Sequence, residues 1–553
     1  GVYWYRPIVH GPFLAIVDSY VFALVGASDF SMRLVVAIIG GLLSLSALLF
    51  RHRLRDSETV ALSLLLAANP LLLYYSRFYR NDVLLAGFML VAFGFFLRAY
   101  DHRQPANLYL GTAFFALAFT TKENALVFPV IWAGAAFLLF DRRLVVNRVS
   151  DRRFLRTAYE RVTRRVKKDW RWAGHFALAF IEFFAIVVFF YAPRGQQAVP
   201  EPTLGATLSD PTLLPALVGE AVLGSWNSFV AQWGSGNEAS YLSAAEAFWP
   251  VLREGGIVVL VFAVVGFLAD RYAGERPHDV VAFTFFWGLA SCFSYPIIVA
   301  DPFPWEVLYM VVPLVVPAAV GIALVGRIGL DSLRNDNAFP AIAAALVLLI
   351  AAGQVGTTAY GTSFVHPQST DNELVQYAQS KSDLKPLLHE LQRISTTNDG
   401  TDVLFYGDDP DFDGDELYIQ NGSANAIPPG GTAWFNRLPF AWYLEMYGAH
   451  MDSTDDAAIV KRIVQNDERP PIVIAFSETE TCTVDYDNAT DIDQYMKGYE
   501  AHRVDRFLYD SGCTISSMVV YVDESADRNY SSSVANSSAT RAPRPDLSPA
   551  YAS

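Results

Sequence analysis

Cysteine and the common nucleotide-binding motifs are scarce or absent in this sequence. Its 553 residues include three cysteines, too few for a disulfide scaffold and without the spacing of a zinc cluster. It contains neither a P-loop nor a dinucleotide-binding glycine motif. Cys292 falls in an apolar run and is expected to be a small buried residue. Cys482 and Cys513 fall in the C-terminal region, where a disulfide and two separate thiols are both compatible with the sequence.

Lysine is also scarce, because almost all basic residues are arginine. Only seven of the 41 Lys and Arg residues are lysine, and 56 Asp and Glu residues bring the net charge to −15. The acids are concentrated in residues 361–553, which hold 31 Asp and Glu against 13 Lys and Arg. Such a surface is expected in concentrated salt, where screening weakens repulsion between carboxylates. The composition predicts a halophilic archaeal source; an acidic surface for a basic partner is the alternative.

Long apolar runs are abundant before residue 356. The chain is 52% hydrophobic, with a mean hydropathy of +0.25. Its runs of about 17–22 residues match the length that crosses a hydrocarbon core of roughly 30 Å. They predict about ten membrane spans: 33–50, 57–75, 82–99, 106–121, 124–140, 172–192, 254–270, 280–300, 305–326 and 338–356. The weakest are 57–75, which contains Asn69 and Pro70, and 106–121, which is short.

The charged loops between the spans predict the orientation of the chain. Residues 141–171 contain twelve Arg and Lys, and loops of this kind stay on the cytoplasmic side. Counting spans from this loop places the other Arg-rich loops on the same side and residues 357–553 on the outer side. All four N-glycosylation sequons lie in that outer region, at Asn421, Asn488, Asn529 and Asn536. Nucleic-acid binding by 141–171 is not needed to explain its charge, since aromatic residues are sparse there.

These features divide the sequence into three regions. Residues 1–356 are predicted to be a multi-spanning membrane domain, residues 357–524 an acidic extracytoplasmic α/β domain, and residues 525–553 a disordered Ser/Ala/Pro-rich tail. In the second region, residues 371–394 have helical spacing. Three short apolar runs there predict buried strands, at 402–407, 471–476 and 517–522. The chain begins at Gly1 without an initiator Met, so we expect it to be a fragment.

Charged side chains are concentrated in three short predicted outer turns. The turns contribute His10; Arg77, Arg80 and Asp82; and Lys122 and Glu123. Ionisable residues in such short turns are functional candidates, and arginine binds phosphate through paired hydrogen bonds. The alternative is that Arg77, Arg80 and Lys122 extend to lipid headgroups among the tyrosines of an interfacial belt. We favour a functional site because cations in outer turns oppose the usual charge bias.

Two groups of motifs resemble those of membrane glycosyltransferases. One group is similar to the N-terminal stretch of the C-type glycosyltransferases, which include protein O-mannosyltransferases and aminoarabinose transferases: Pro12–Leu14, Phe22–Gly26 and Asp29–Leu34. The other is more similar to one archaeal branch, the flippase-activity-associated family of the N-glycosylation pathway: Tyr75–Asp82, Thr121–Asn124 and Leu438–Leu444. The resemblance spans roughly residues 1–450.

The resemblance implies a fold and an activity. The fold is an α-helical polytopic membrane protein of the C-type glycosyltransferase kind, with a C-terminal extracytoplasmic α/β domain. The activity is transfer of a sugar from a polyprenyl- or dolichyl-phosphate carrier at the outer face of the membrane, with cations stabilising the departing phosphate. By position, Arg77, Arg80 and Lys122 would bind the lipid phosphate, while His10, Asp82 and Glu123 would orient the sugar or a metal.

The catalytic base of this family has no counterpart in the sequence. In the family, an Asp early in the first outer loop, after a first span, acts as general base. That first span is missing here, and neither Asp18 nor Asp29 matches the position. The base is therefore expected upstream of Gly1, and no catalytic residue is assigned. No cofactor is assigned either, although a divalent cation is a candidate.

An acidic loop in the C-terminal region partly matches a calcium-binding pattern. Positions 1, 3, 5 and 7 of the pattern are taken by Asp409, Asp411, Asp413 and Asp415. The twelfth position holds Gln420 in place of the bidentate Glu, and no flanking helix pair is evident. A salt-adapted acidic loop is therefore favoured over a metal site.

Two functions follow from these observations. The first is enzymatic sugar transfer from the lipid carrier; the second is binding or reorienting that carrier without chemistry, as the name of the closer family implies. An ordinary transporter is disfavoured because no pair of interrupted spans with repeat symmetry is visible. Expected partners are the lipid-linked sugar, membrane lipids and other membrane proteins of the glycosylation pathway, with no nucleic acid.

Overall fold

The chain folds into two compact units, Val2–Pro367 and Gln368–Ser553. A computed structural model describes residues 3–147, 170–195, 200–233, 240–273, 277–299, 301–398, 400–407, 417–419, 432–466, 469–476, 492–510 and 513–526. The first unit is helical, and the second contains a five-stranded sheet. Several predicted features lie outside the described residues: the four sequons, Cys482, the side chain of Cys513, and Asp409, Asp411, Asp413 and Asp415.

Helices α1–α16 build the first unit. They are α1 Phe13–Val25, α2 Asp29–Leu42, α3 Asp56–Ala68, α4 Pro70–Tyr75, α5 Asn81–His102, α6 Pro105–Phe119, α7 Val127–Asn147, α8 Trp170–Tyr191, α9 Leu204–Ser209, α10 Leu214–Gly219, α11 Ser225–Trp233, α12 Tyr241–Gly255, α13 Ile257–Leu268, α14 Asp279–Ile298, α15 Leu308–Arg334 and α16 Ala338–Tyr360. Shorter 3₁₀ or π turns include Pro7–Val9, Leu43–Phe50, Glu123–Leu126, Pro304–Val307 and Gly361–Val365. The predicted helical, multi-pass membrane fold is confirmed.

Within the described residues, seven helical segments are long and apolar enough to cross a membrane. The number rises to eight if α12 and the helix that begins with α13, which are bent by 86° relative to each other, together form one span. The seven are Asp29–Phe50, Asn81–His102, Trp172–Tyr191, Pro211–Trp233, Asp279–Ile298, Pro304–Arg334 and Ala338–Val365. The span predicted at 57–75 is divided, because the Asn69 side chain accepts the Leu72 N–H at 3.2 Å and Pro70 begins α4. Pro211–Trp233 meets these criteria although the sequence places it in an outer loop, so the number ten stays a prediction.

One helix forms the centre of the first unit. The apolar window of Pro304–Arg334 is 89% buried, whereas those of Trp172–Tyr191 and Ala338–Val365 are 6% buried. Apolar side chains left exposed on peripheral helices are expected to face lipid. Helices α13 and α15 approach so closely that a Cβ on Gly266 would meet the Pro317 carbonyl, and one on Gly321 the Phe262 carbonyl. Small residues permit this backbone contact between spans.

The second unit is a mixed sheet covered by helices. Its elements are α17 Lys385–Thr397, β1 Val403–Tyr406, α18 Thr432–Asn436, α19 Phe440–Tyr447, β2 Met451–Thr454, α20 Ala457–Val464, β3 Ile472–Phe476, β4 Tyr499–Asp510 and β5 Cys513–Asp523. The strand order is β2-β1-β3-β5-β4, with β1 parallel to β2 and β3, and β5 antiparallel to β3 and β4. Alternate residues of β1 and β3 pack on opposite faces, as the period of a strand requires.

The three predicted strands are present as β1, β3 and β5, whereas β2 and β4 were not predicted. The helix predicted over 371–394 is wrong in its first part. Only the segment from Lys385 onward is helical, with Pro386 near its start. Before this helix, Ser380 forms a β-bridge with Arg506 of β4. Pairing with the sheet therefore replaces the helix that the local spacing predicts for this part of the chain.

Replacing Gly266 by Ala should destabilise the first unit by about 1–3 kcal/mol, because the added methyl meets a backbone carbonyl that cannot rotate away. Gly353→Ala is the matched control, since a Cβ there meets nothing within 4 Å and alanine is the better helix former. Thermal unfolding in detergent measures both. Equal midpoints for the two variants would contradict the close crossing of α13 and α15.

Candidate functional site

The carboxylate of Asp82 binds three side chains from three parts of the chain. Its Oδ1 accepts hydrogen bonds from Lys122 Nζ at 3.0 Å and from the Tyr309 hydroxyl at 2.6 Å. Its Oδ2 accepts one from Arg80 Nε at 3.1 Å. Asp82 is 1% exposed and Lys122 4% exposed. We call Asp82, Arg80, Lys122 and Tyr309 the Asp82 cluster.

Local structure places each member of the Asp82 cluster. Asp82 lies in the first turn of α5, where the helix dipole favours a negative charge, and Arg80 occupies the N-cap position before this helix. Lys122 ends the tight turn after α6. Tyr309 lies in the first turn of α15. The cluster therefore joins the beginnings of α5 and α15 to the turn between α6 and α7.

Two further groups extend this cluster. The Arg80 guanidinium lies 3.3 Å from the centroid of the Trp305 ring, a stacking contact favourable to a cation. Glu306 Oε1 lies 3.7 Å from Lys122 Nζ and accepts a hydrogen bond from Asn124 Nδ2 at 3.4 Å. Glu306 Oε2 is buried and has no hydrogen-bond partner among the described residues. A buried carboxylate oxygen without a partner is able to accept a hydrogen bond from a donor outside the chain.

Glu123 holds an imidazole beside the Asp82 cluster. His10 Nδ1 lies 2.9 Å from Glu123 Oε2, and the Tyr5 hydroxyl donates to Oε1 at 2.7 Å. Both carboxylate oxygens are thus engaged, while the His10 side chain keeps 31% of its surface exposed. The imidazole is oriented through Nδ1, and Nε2 makes no hydrogen bond with any described residue.

Backbone contacts fix the position of His10. The N–H groups of Gly11 and Phe13 donate to the carbonyls of Thr121 and Thr120, at 3.0 and 2.8 Å. A Cβ on Gly11 would overlap the Thr120 carbonyl, so a side chain does not fit there. His10 itself has a φ of 64°, a left-handed conformation that costs a non-glycine residue energy. Strain of this kind occurs most often at functional sites.

The environment of Glu123 favours its ionised form. Burial alone raises the pKa of this carboxyl, but the charge of His10 and the hydrogen bonds from His10 and Tyr5 outweigh burial and hold the pKa below its ordinary value of 4.5. Tyr5 shows the opposite shift: burial and the adjacent Glu123 raise the pKa of its hydroxyl. Glu123 is therefore expected to act as a fixed acceptor.

Arg77 lies apart from the other predicted phosphate ligands. Its guanidinium carbon is 5.0 Å from the centroid of the Phe364 ring, and within the described residues it makes no hydrogen bond or ion pair with the Asp82 cluster. The structure thus brings together Arg80, Lys122 and Asp82, and separately His10 with Glu123. Sequence reasoning missed Tyr5, Glu306 and Tyr309. Of these, only Glu306 carried a signal, as an acid at the edge of an apolar run.

In the parts of the chain that the structure describes, no group of three or more His, Cys, Asp or Glu side chains is arranged to hold a metal ion. Both oxygens of Asp82 already accept hydrogen bonds from Arg80 and Lys122, so they are not available to coordinate a cation. The donors that remain in this arrangement are the other N–H groups of Arg80 and Lys122.

Two known families match parts of the chain, one in each unit. Residues 384–523 match the family described as Agl23 flippase-associated protein C-terminal domain. Residues 9–150 match the dolichyl-phosphate-mannose-protein mannosyltransferase family. The chain therefore combines an Agl23 flippase-associated C-terminal domain with a mannosyltransferase-like N-terminal region. It is a multi-pass membrane protein whose membrane unit is glycosyltransferase-like.

Two solved structures are similar to this chain at low sequence identity. ArnT from Cupriavidus metallidurans bound to undecaprenyl phosphate is 13% identical, with a TM-score of 0.46 over 92% of this chain and 88% of that one. Apo ArnT from the same organism is 14% identical, with a TM-score of 0.48 over 92% and 87%. No curated protein matches the chain. The family assignment therefore depends on the two family matches.

Replacing Asp82 by Asn should destabilise the protein by about 3–5 kcal/mol, because Lys122 and Arg80 would keep buried charges without their carboxylate. Asp331→Asn is the matched control, since the Asp331 side chain is 66% exposed in its ion pair with Arg334. Its effect should stay within about 1 kcal/mol. Thermal unfolding of both full-length variants measures the difference, and similar losses would argue against a structural role for the cluster.

The contribution of Glu123 to stability should depend on pH. Since its pKa in the folded protein lies below the ordinary 4.5, the stabilisation is present above about pH 4.5 and is lost as pH falls through the folded-state value. The stability difference between the wild type and Glu123→Gln should therefore shrink on acidification. Thermal unfolding from pH 7 to pH 4 measures it, with exposed Glu201→Gln as the control. A difference that grows on acidification would refute the assignment.

Proposed function

We propose that the chain transfers a sugar from a polyprenyl- or dolichyl-phosphate carrier at the outer face of the membrane, within a pathway of lipid-linked glycans. The observation that carries this proposal is the Asp82 cluster. It fixes two cations at the ends of helices in a unit that matches a mannosyltransferase family. The predicted side of the membrane, and the extracytoplasmic placement of the second unit, are supported by the Arg-rich loops and the four sequons.

Arg80 and Lys122 are proposed to bind the carrier phosphate. Asp82 takes one hydrogen from each cation, so further N–H groups of both are left to donate to phosphate oxygens. When the bond from the sugar to the phosphate breaks, negative charge grows on the departing oxygen. Cations already held in place stabilise that charge without reorganising.

His10, Glu123 and Glu306 are proposed to contact the sugar and its acceptor. Glu123 fixes the His10 ring, whose second nitrogen then meets a hydroxyl. The unpaired oxygen of Glu306 accepts a hydrogen bond from another hydroxyl. Asp82 positions the two cations and contacts no ligand in this proposal. None of the described residues is assigned as the general base.

A second candidate is a protein that binds and helps to reorient the lipid-linked sugar without breaking a bond. The match of residues 384–523 to a flippase-associated domain favours it. Both candidates use the same phosphate site, so they differ only in whether the sugar leaves the carrier.

Lys122→Ala and Arg80→Gln should each lower the rate of sugar transfer by about 10²–10³-fold, because each removes a preorganised donor from the departing phosphate. The measurement follows a labelled sugar on polyprenyl phosphate in vesicles that contain the full-length protein. Release or transfer of the label reports chemistry, and accessibility of the intact carrier on each leaflet reports reorientation.

The exposed Arg334→Gln is the matched control, since this side chain is 76% exposed, and it should keep wild-type rates. Reorientation without release in the wild type would select the second candidate. Unchanged carrier turnover in both site variants, with intact folding, would exclude the Asp82 cluster as the phosphate site.

A further inference from the structure

We propose that Arg33 and Arg77 form a second anion site, separate from the Asp82 cluster, which binds the phosphate group of a membrane lipid. The site does not depend on whether the chain transfers sugar. It is built from the second turn of α2 and from the turn between α4 and α5.

The two arginines are arranged alongside aromatic rings. The Arg33 guanidinium carbon lies 5.9 Å from the centroid of the Phe78 ring, and that of Arg77 lies 5.0 Å from the Phe364 ring. Phe78 directly follows Arg77 in the chain, so its ring brings Arg33 to the turn that carries Arg77. The hydroxyl of Tyr74, one turn earlier, donates to the Pro367 carbonyl at 3.1 Å.

The two positive charges lack a counter-charge. Within the described residues neither arginine forms an ion pair, and Arg33 Nε and Arg77 Nη1 are buried without a hydrogen-bond partner. Two other partly buried arginines of this unit are paired, Arg53 with Asp101 and Arg327 with Glu58. Arg98 Nε and Arg271 Nη1 are also buried without a hydrogen-bond partner among the described residues. Burial lowers the pKa of Arg77, the adjacent Tyr74 hydroxyl opposes that change, and the charge of Arg33 lowers the pKa further. An anion between the guanidinium groups would remove both the repulsion and the unpaired N–H groups.

The surroundings favour an anion attached to a lipid. Phe30, one turn before Arg33, is 72% exposed, and Tyr360 and Phe364 are 64% and 57% exposed. Such side chains on spanning helices face acyl chains, with the charged group at the level of the headgroups. An arginine that merely extends to water would have no buried, unpaired N–H. Phosphate suits the pair because each guanidinium can offer two parallel donors to its oxygens.

Binding measurements on full-length protein in detergent test the site. The probes are polyprenyl phosphate, phosphatidylglycerol, phosphatidylcholine and inorganic phosphate, with lipid occupancy read by native mass spectrometry. The double variant Arg33→Gln/Arg77→Gln should weaken lipid-phosphate binding about tenfold or more. Arg271→Gln is the matched control, because Arg271 is a single arginine 5.7 Å from the rings of Phe267 and Tyr272. Arg33→Lys/Arg77→Lys should restore part of the affinity.

The outcomes distinguish the source of the phosphate. A loss confined to polyprenyl phosphate assigns the site to the carrier, and an equal loss for phosphatidylglycerol assigns it to lipid headgroups. The proposal would be overturned if the Gln double variant bound polyprenyl phosphate and phosphatidylglycerol with unchanged affinity, or if Arg271→Gln lost as much affinity. It would also be overturned if only the binding of inorganic phosphate were weakened. If the Gln double variant does not fold, the Lys double variant is measured alone. Wild-type affinity of this variant for every probe would then overturn the proposal. Lys122→Ala should alter transfer without altering the binding of phosphatidylglycerol, so the two proposals fail separately.

Discussion

A single buried carboxylate connects the parts of the membrane unit that are far apart in sequence. Asp82 is removed from water, which is costly for a charge, and the cost is offset by two cations and a hydroxyl that all donate to it. Those donors come from the start of α5, from the turn after α6 and from the start of α15. The same contacts that hold these helices together also fix the two cations, so stability and the geometry of the candidate site have one origin.

The chain uses its buried cations in two different ways. Arg80 and Lys122 are neutralised within the protein and are positioned whether or not a ligand is present. Arg33 and Arg77 have no such partner among the described residues, and in our proposal an anion from the membrane binds their unpaired N–H groups. Both pairs lie near helix ends, but the first can be understood from the protein alone, whereas the second requires a partner in the membrane.

Much of this arrangement was visible in the sequence, for physical reasons that differ between residues. Asp82, Lys122 and Glu123 stand out because a charge in a short turn between apolar runs has few structural explanations. Asn69 and Pro70 marked the span 57–75 as weak, because asparagine is favoured at the N-cap of a helix and proline at its first position. Tyr309 could not be predicted, because the local sequence does not show which residue of the apolar segment Leu308–Arg334 contacts a carboxylate 227 residues earlier. The short polar strand Met451–Thr454 was missed because only its neighbour β1 makes it a strand.

The backbone contact between Gly266 and Pro317 has a mechanical consequence for the membrane unit. Two helices that touch through carbonyl and Cα atoms have no side chains that can change rotamer, so they slide or tilt only together. With the Asp82 carboxylate anchoring the other end of α15, this helix and its neighbours form a stiff central body. The apolar windows of Trp172–Tyr191 and Ala338–Val365 are only 6% buried, so these helices lie at the periphery of the unit. Any widening of the unit is therefore expected at these outer helices before it occurs between α13 and α15.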